Sequence, residues 1–453
     1  LHRLDEALAG YDMIVDAFRI NANDLCLISR LLWNRMQAAC PMSAPEIMKV
    51  AEQSRVAVHL AMLINMLSLG SLMMVMPLGP DLVRHLGMEA SHVGYISGGA
   101  TIAAALSAVA SAPWLDRFDR KRALIILLAL RFALLLCCAL VTHSNQLIAL
   151  FVLSGLLAGP MGAVLMAAML DMIPPAQRGR QLAYVSMGFS LAAILIIPLS
   201  LESSARWGWQ SPFLILGSAG LLLALLAQLF LPSPAAVAGR PRGSILPLLS
   251  SRLCLAALSI TALQMFGHFL LVPHFANYFQ FNLDFPRSNL GLLYLLGGLA
   301  SLAAMRLGGG WIDRGGAVTV VLVSSGGLAL VTALGFATSV GISLYIIFTL
   351  FMALSAVRSN STMTIAAGIP EPHQRAAFMA FQGTVSNIAA GVGSLCSALY
   401  LTSGAQHELI GFEHLAGFYA LAGPVAGLGV LYLLHGLRRR DAAHGKTTEQ
   451  QAG

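Results

Sequence analysis

Leu115-Asp116-Arg117-Phe118-Asp119-Arg120 and Ile312-Asp313-Arg314-Gly315-Gly316 are two copies of one short charged stretch, 197 residues apart, and each is set between long apolar runs. The same offset relates Ser91 to Ser288, Gly94 to Gly291 and Arg178 to Arg375. Near matches accompany them: Gly98-Gly99 with Gly297-Gly298, and Pro174-Pro175-Ala176-Gln177-Arg178 with Pro370-Glu371-Pro372-His373-Gln374-Arg375. One such coincidence carries nothing, but four at one spacing mark an internal duplication.

The runs around these stretches decide the medium in which the duplicated unit folds. A bilayer-crossing helix needs about 20 mostly apolar residues. Twelve candidates lie near 57–79, 91–112, 123–142, 147–172, 181–203, 211–231, 253–278, 288–306, 317–337, 341–369, 376–404 and 414–436. They are too long for strands and lack the alternation of a membrane barrel. Over the 453 residues 57% are apolar and only 10% charged, against about 25% charged in soluble proteins. So little charge cannot coat a water-soluble surface. The six cysteines show no C-x-x-C spacing and read as small core hydrophobes, with no metal site and no required disulfide.

The expected fold is therefore an all-α integral membrane protein, with twelve transmembrane helices in two homologous six-helix halves. The halves fall at 57–231 and 253–436, joined by a Pro/Gly/Arg-containing linker at 232–252 and followed by a tail at 437–453. Residues 1–56 form an N-terminal arm outside this pattern. It reads either as an amphipathic surface helix (Ile14, Phe18, Leu25, Leu31, Trp33) or as a segment upstream of a later start at Met42 or Met48, and the second is the expectation.

Basic residues set the orientation. Of the 27 Lys and Arg, 22 fall on the side of the termini and three, Arg84, Arg206 and Arg287, on the other; Arg131 and Arg358 lie inside spans. This bias places both termini in the cytoplasm. The net charge of +7 is then a topology signal, with no nucleic-acid partner implied.

Two parallel six-helix halves are an arrangement known from repeat-built transporters. Asp116-Arg117-Phe118-Asp119-Arg120-Lys121 resembles the acidic-basic signature loop of the major facilitator superfamily. Gly309-Gly310-Trp311-Ile312-Asp313-Arg314-Gly315-Gly316 resembles its second copy. Pro77-Leu78-Gly79-Pro80 is similar to the Pro-x-x-Pro that ends span 1 in twelve-helix drug and sugar efflux members. The branch it resembles is that of the drug:proton antiporters and arabinose-efflux proteins. Departures are Ala112 and Asp119 in place of signature glycines, and Gly155 where such antiporters carry an arginine.

The resemblance implies a secondary active transporter moving a small molecule by alternating access, with proton-coupled efflux of a metabolite or drug as its branch activity. An importer or uniporter on the same fold, a non-transporting sensor and a membrane-embedded enzyme are the alternatives. No G-x-x-x-x-G-K-[ST] loop is present, so the driving energy is expected from an ion gradient, of protons, with no cofactor and no metal. The expected setting is a bacterial inner membrane, multi-pass, with the bilayer and a small-molecule substrate as partners and a monomeric chain.

Charges in the signature loops are expected to act as a conformational latch: Asp116 with Arg120 or Arg178, and Asp313 with Arg314 and Arg375. Asp119 reads as a neighbour that softens the basic patch. Ionisable groups at bilayer depth are functional candidates by default. No carboxylate lies mid-span; Asp81 and Asp171 sit near span ends and join His268, which titrates in the right range, as proton-coupling candidates. Arg358 is mid-span in a helix that the resemblance places along the cavity. Its planar donor fork suits a carboxylate or phosphate, which points to an anionic or zwitterionic cargo, such as a carboxylate-bearing metabolite or siderophore. Asn65, Gln264 and Asn387 complete the expected substrate-binding set. Arg131, in a peripheral span, reads as structural.

Overall fold

The computed structural model describes residues 44–115, 118–173, 177–232, 248, 250–337, 341, 343–371 and 374–452. The arm up to residue 43, the start expected at Met42 and most of the linker lie outside them. Twelve helical runs follow in order: α1 (Ala44–Met73), α2 (Val93–Leu115), α3 (Arg120–Cys138), α4 (Ser144–Met172), α5 (Arg178–Leu191, continuing through a π turn at Ala192–Ile196 into Ile197–Trp207), α6 (Ser211–Phe230), α7 (Arg252–Leu271, then a 3-10 turn at Val272–His274 and a tip at Phe275–Phe281), α8 (Leu290–Trp311), α9 (Ala317–Thr332), α10 (Leu344–Ala367), α11 (Arg375–Tyr400) and α12 (Phe412–Ala452). Helices suit this medium because each closes its backbone hydrogen bonds within itself.

Ten of these runs are long and apolar enough to cross a membrane by composition alone. The two that are not, α3 and α11, have identifiable reasons. α3 carries Arg120, Lys121, Arg122 and Arg131 within its 19 residues. Asp119 is its N-cap, accepting from the Arg122 backbone N–H at 2.7 Å. That is a structural task beyond the charge-softening expected of it, since a carboxylate there satisfies an orphan donor. α11 is diluted by Gln382, Thr384, Ser386 and Asn387.

Three helices are interrupted where proline or crowding dictates. Proline lacks a donor and clashes with the preceding turn. After α1, a turn over residues 74–78 containing Pro77 leads into a separate two-turn helix, Gly79–Leu86, with Pro80 in its first turn. Gly87 ends it at φ +58°, a left-handed value that suits glycine. α7 breaks at Pro273. The π turn of α5 lies just before Pro198.

Within the first half α1 packs on α5 and α6, α2 on α4, and α3 on α4 and α6; within the second, α7 packs on α11 and α12, α8 on α10, and α9 on α10 and α12. Adding six to each helix number maps one set onto the other, which is the pseudo-symmetry the 197-residue offset demands. Two seams join the halves, α2 with α11 and α5 with α8. The first is tight because it lacks side chains. A Cβ on Gly94 would sit 2.5 Å from the Ser394 carbonyl, and one on Gly98 2.8 Å from that of Gly391. Glycine also explains a departure noted above: a Cβ on Gly155 would collide with the Ala100 backbone of α2, so no arginine fits there without displacing that helix.

Phe275, Phe279, Phe336, Phe348, Phe351 and Phe412 form a buried aromatic cluster in the second half. A short hairpin pairing Thr402–Ser403 with Leu409–Ile410 links α11 to α12. Both sides of the Asn282 amide bond the Leu409 backbone, at 3.0 and 2.8 Å, tying the hairpin to the α7 tip.

Candidate functional site

Polar groups inside an apolar bundle are costly unless bonded, so their placement shows where the sequence has invested. They gather in two layers. One lies at the end of the bundle away from both termini. Here Arg287, just before α8, donates from Nε to Asp81 Oδ1 at 2.8 Å and from Nη2 to Asp81 Oδ2 at 2.6 Å. Ser204 of α5 donates to the same carboxylate at 2.6 Å, and Arg287 also reaches the Leu201 carbonyl at 3.0 Å. Asn277 of the α7 tip donates to the Ala90 carbonyl at 2.7 Å. Ser97 and Ser394 meet across the glycine seam at 2.6 Å, and Ser394 donates to the Gly94 carbonyl at 3.0 Å. All of these except the Ser204 bond join one half to the other, so this mouth is closed.

The second layer lies deeper, inside the second half. Gln264 of α7 donates to Thr362 of α10 at 2.9 Å, and Gln382 of α11 donates to Thr261 of α7 at 2.9 Å. Arg358, 2% exposed, donates from Nη2 to the Tyr419 hydroxyl at 2.6 Å and lies 5.3 Å from that ring's centre. Its Nε has no partner, and among the described residues no carboxylate pairs with it. His268 stacks on Phe351, 5.7 Å apart at 8°, with Arg358 as its charged neighbour. A fixed cation bordered by aromatic faces is the chemistry this layer offers.

The first half answers differently. Arg131, 1% exposed, fans over the last turns of α1, bonding Ser68 Oγ at 2.5 Å, the Ser68 carbonyl at 2.8 Å and Ser71 Oγ at 2.9 Å. A cation there completes the negative end of a helix that stops at Met73. Asn65 bonds the Val185 carbonyl at 3.0 Å and so braces α1 against α5. His59 of α1 meets the Tyr184 hydroxyl of α5 at 2.8 Å.

Of the expected site residues, Gln264, His268 and Arg358 come together in the deep layer. Asn65 stands apart in the other half, and Asn387 is exposed on α11. Two of the expected proton carriers already have cationic partners. Asp81 is held by Arg287 across the halves. Asp171, at the end of α4, is ion-paired with Arg120, which also donates to the Ala167 carbonyl at 3.2 Å. Arg120 is thereby engaged within its own half. Asp116 and the side chains of Arg178 and Asp313 lie outside the described residues; Arg314 and Arg375 are exposed.

Sequence reasoning missed Arg287, Ser204, Tyr419 and His59. For Arg287 a signal existed: it is one of only three basic residues on a side that the orientation bias otherwise empties.

Comparison with known proteins accords with this geometry. A chloramphenicol efflux pump of Mycobacterium tuberculosis is 27% identical over 274 residues, covering 58% of this chain and 65% of the pump; the chain thus matches somewhat under two thirds of that relative's length. A 4-hydroxybenzoate transporter of Pseudomonas putida is 31% identical over 160 residues, 35% of each chain. The crystal structure of the nucleoside transporter NupG superposes with a TM-score of 0.64 at 13% identity, covering 84% of this chain and 99% of that one. The E. coli xylose transporter XylE, partially occluded and inward open, gives 0.63 at 14%, covering 83% and 98%. The family model described as Major Facilitator Superfamily matches residues 59–394. Twelve helices in two pseudo-symmetric halves, a mouth closed by contacts between those halves and this match together make the chain a member of the major facilitator superfamily, a multi-pass membrane protein.

Proposed function

We propose that the chain is a proton-driven exporter of small aromatic anions or zwitterions, working by alternating access with both termini in the cytoplasm. The observation that carries the cargo reading is Arg358: a buried guanidinium whose Nε has no partner, with no carboxylate pairing with it among the described residues, and with Tyr419, His268 and Phe351 around it. A cargo carboxylate would displace the Tyr419 hydroxyl and take the charge-assisted bonds that the phenol fills only in part. The neighbouring rings would stack on an aromatic body. The relatives' names, a chloramphenicol efflux pump and transporters of 4-hydroxybenzoate and gallate, all concern aromatic molecules and support the aromatic part of this class, the last two also its carboxylate. Export rests on the pump relative, and the orientation on the 22-to-3 bias of basic residues. An ion gradient as the drive rests on the lack of a nucleotide loop, and protons as the ion on the resemblance to drug:proton antiporters, with His268 as the carrier candidate now that Asp81 and Asp171 are paired. Asp116 and Asp313 remain the proposed latch of the cytoplasmic mouth, and the working unit is a monomer without cofactor.

The test is flux in everted vesicles with matched anionic, neutral and cationic aromatic compounds. Wild type should move the anions, Arg358→Lys should weaken them at least tenfold, and Arg358→Ala should abolish them at normal protein level. Good transport of lipophilic cations with anions ignored, or normal flux in Arg358→Ala, overturns the cargo reading.

A further inference from the structure

The Asp81–Arg287 contact has three properties that a merely structural ion pair lacks. Its members belong to different halves, so it cannot persist once the halves part at this mouth. It is bidentate and largely screened from water: Asp81 is buried, the Arg287 side chain is 19% exposed, and both carboxylate oxygens are used by Arg287. And Asp81 rides on Gly79–Leu86, a helix separated from α1 by the turn over residues 74–78, while the facing α7 tip is separated from its own helix by the turn at Pro273. Both tips therefore have a joint behind them, at matching places in the two repeats. Loop or element-terminal joints of this kind absorb the dihedral changes of domain motion.

The tips also touch each other directly. Gly79 lacks the Cβ that would sit 2.6 Å from Asn277 Oδ1, and Arg84 lies 5.3 Å from the centre of the Phe281 ring. These contacts align the tips, but they are neutral or exposed at the rim. The charge pair is the one that opening would leave expensive. With Arg287 withdrawn, the carboxylate keeps the Ser204 hydroxyl of its own half and exchanges a bidentate charge-assisted contact for water.

We propose that Asp81 and Arg287, with Ser204 holding the carboxylate in place, are the latch of the outer mouth, and that this pair sets how much of the population rests in the present outward-closed state. The placement of this mouth on the outer face rests on the orientation proposed above; the latch itself does not.

The experiment measures the mouth without cargo or gradient. In a background lacking the six native cysteines, nitroxide labels at Glu89→Cys and Gln406→Cys, exposed positions on opposite halves, report their separation by pulsed electron resonance. Wild type should show one short-distance population. Asp81→Asn and Arg287→Gln should each move at least half of it to a longer distance, and Ser204→Ala a smaller share. The exchange Asp81→Arg with Arg287→Asp should restore the short distance at least in part. Should Asp81→Asn fail to fold, Arg287→Gln is read in its place, with monodispersity in detergent as the folding check. Wild-type distances in the folded charge-removal variants overturn the latch. Because no substrate enters the measurement, failure of the anion-export reading would leave this result standing, and the reverse holds as well.

Discussion

Two arginines lie buried in this bundle without a carboxylate partner among the described residues, and they are not equivalent. Arg131 spreads over the end of α1 and bonds two hydroxyls and a carbonyl; Arg358 makes one hydrogen bond, to a phenol. The first is a brace with its acceptors supplied by its own half. Nε is without a partner in both, but the second has far more donor capacity left over. Arg131→Leu should therefore destabilise the folded protein, by about 2–4 kcal/mol given what hydrogen bonds to charged groups and unsatisfied acceptors are worth. Arg131→Lys should recover part of that. Thermal melting in detergent reads both, and a melting temperature unchanged in the leucine variant would remove the bracing role. Both arginines were visible in the sequence as charges inside apolar runs. Their difference was not, because it depends on Ser68, Ser71 and Tyr419, whose proximity is a matter of tertiary packing and leaves no trace in local spacing. The same holds for Asp81 and Arg287, 206 residues apart. Asp81 reads in the sequence as a proton-carrier candidate and Arg287 as a stray basic residue, and that they are partners shows only when two homologous halves are closed on each other.

At the scale of helices, the glycine seam is the feature with the sharpest consequence. α2 and α11 approach until backbone nearly meets backbone at Gly94, Gly98 and Gly391, and Ser97 bonds Ser394 in the gap. Gly98→Leu puts a side chain where the Gly391 carbonyl lies 2.8 Å from the first added carbon. The helices should fold, since leucine favours helix, but the seam should be wedged. A disulfide between Ser91→Cys and Ser403→Cys, positions linked across the halves at 3.4 Å, should form in the wild-type background and drop severalfold in the Gly98→Leu background. Equal yields would show that the seam tolerates widening. The helices were legible from apolar run length and their pairing from the 197-residue offset. The joints were legible only in part: Pro77 and Pro273 are present to be read, but both lie inside runs long enough to pass for single spans. Only the packing shows that the chain turns there. α3 and α11 illustrate a different case: the apolar runs at 123–142 and 376–404 read as spans, although basic residues in one and polar residues in the other keep both helices outside the ten that qualify by composition alone.

For the whole molecule, the proposed orientation makes a simple demand. Gln406→Cys, in the hairpin between α11 and α12, should react with a membrane-impermeant maleimide applied to intact cells, and Thr447→Cys in the tail only after permeabilisation. The reverse pattern would invert the topology and with it the direction proposed for transport. The closed mouth also bears on pharmacology. Any inhibitor delivered from the latched face meets the apposed tips, the Asp81–Arg287 pair and the hairpin pinned by Asn282, and finds no entry in this state. A compound that arrests the protein as it stands must come by way of the opposite compartment or through the lipid. One that is confined to the near side has to wait for the pair to part, so its potency should follow how often that happens and not only how well it fits.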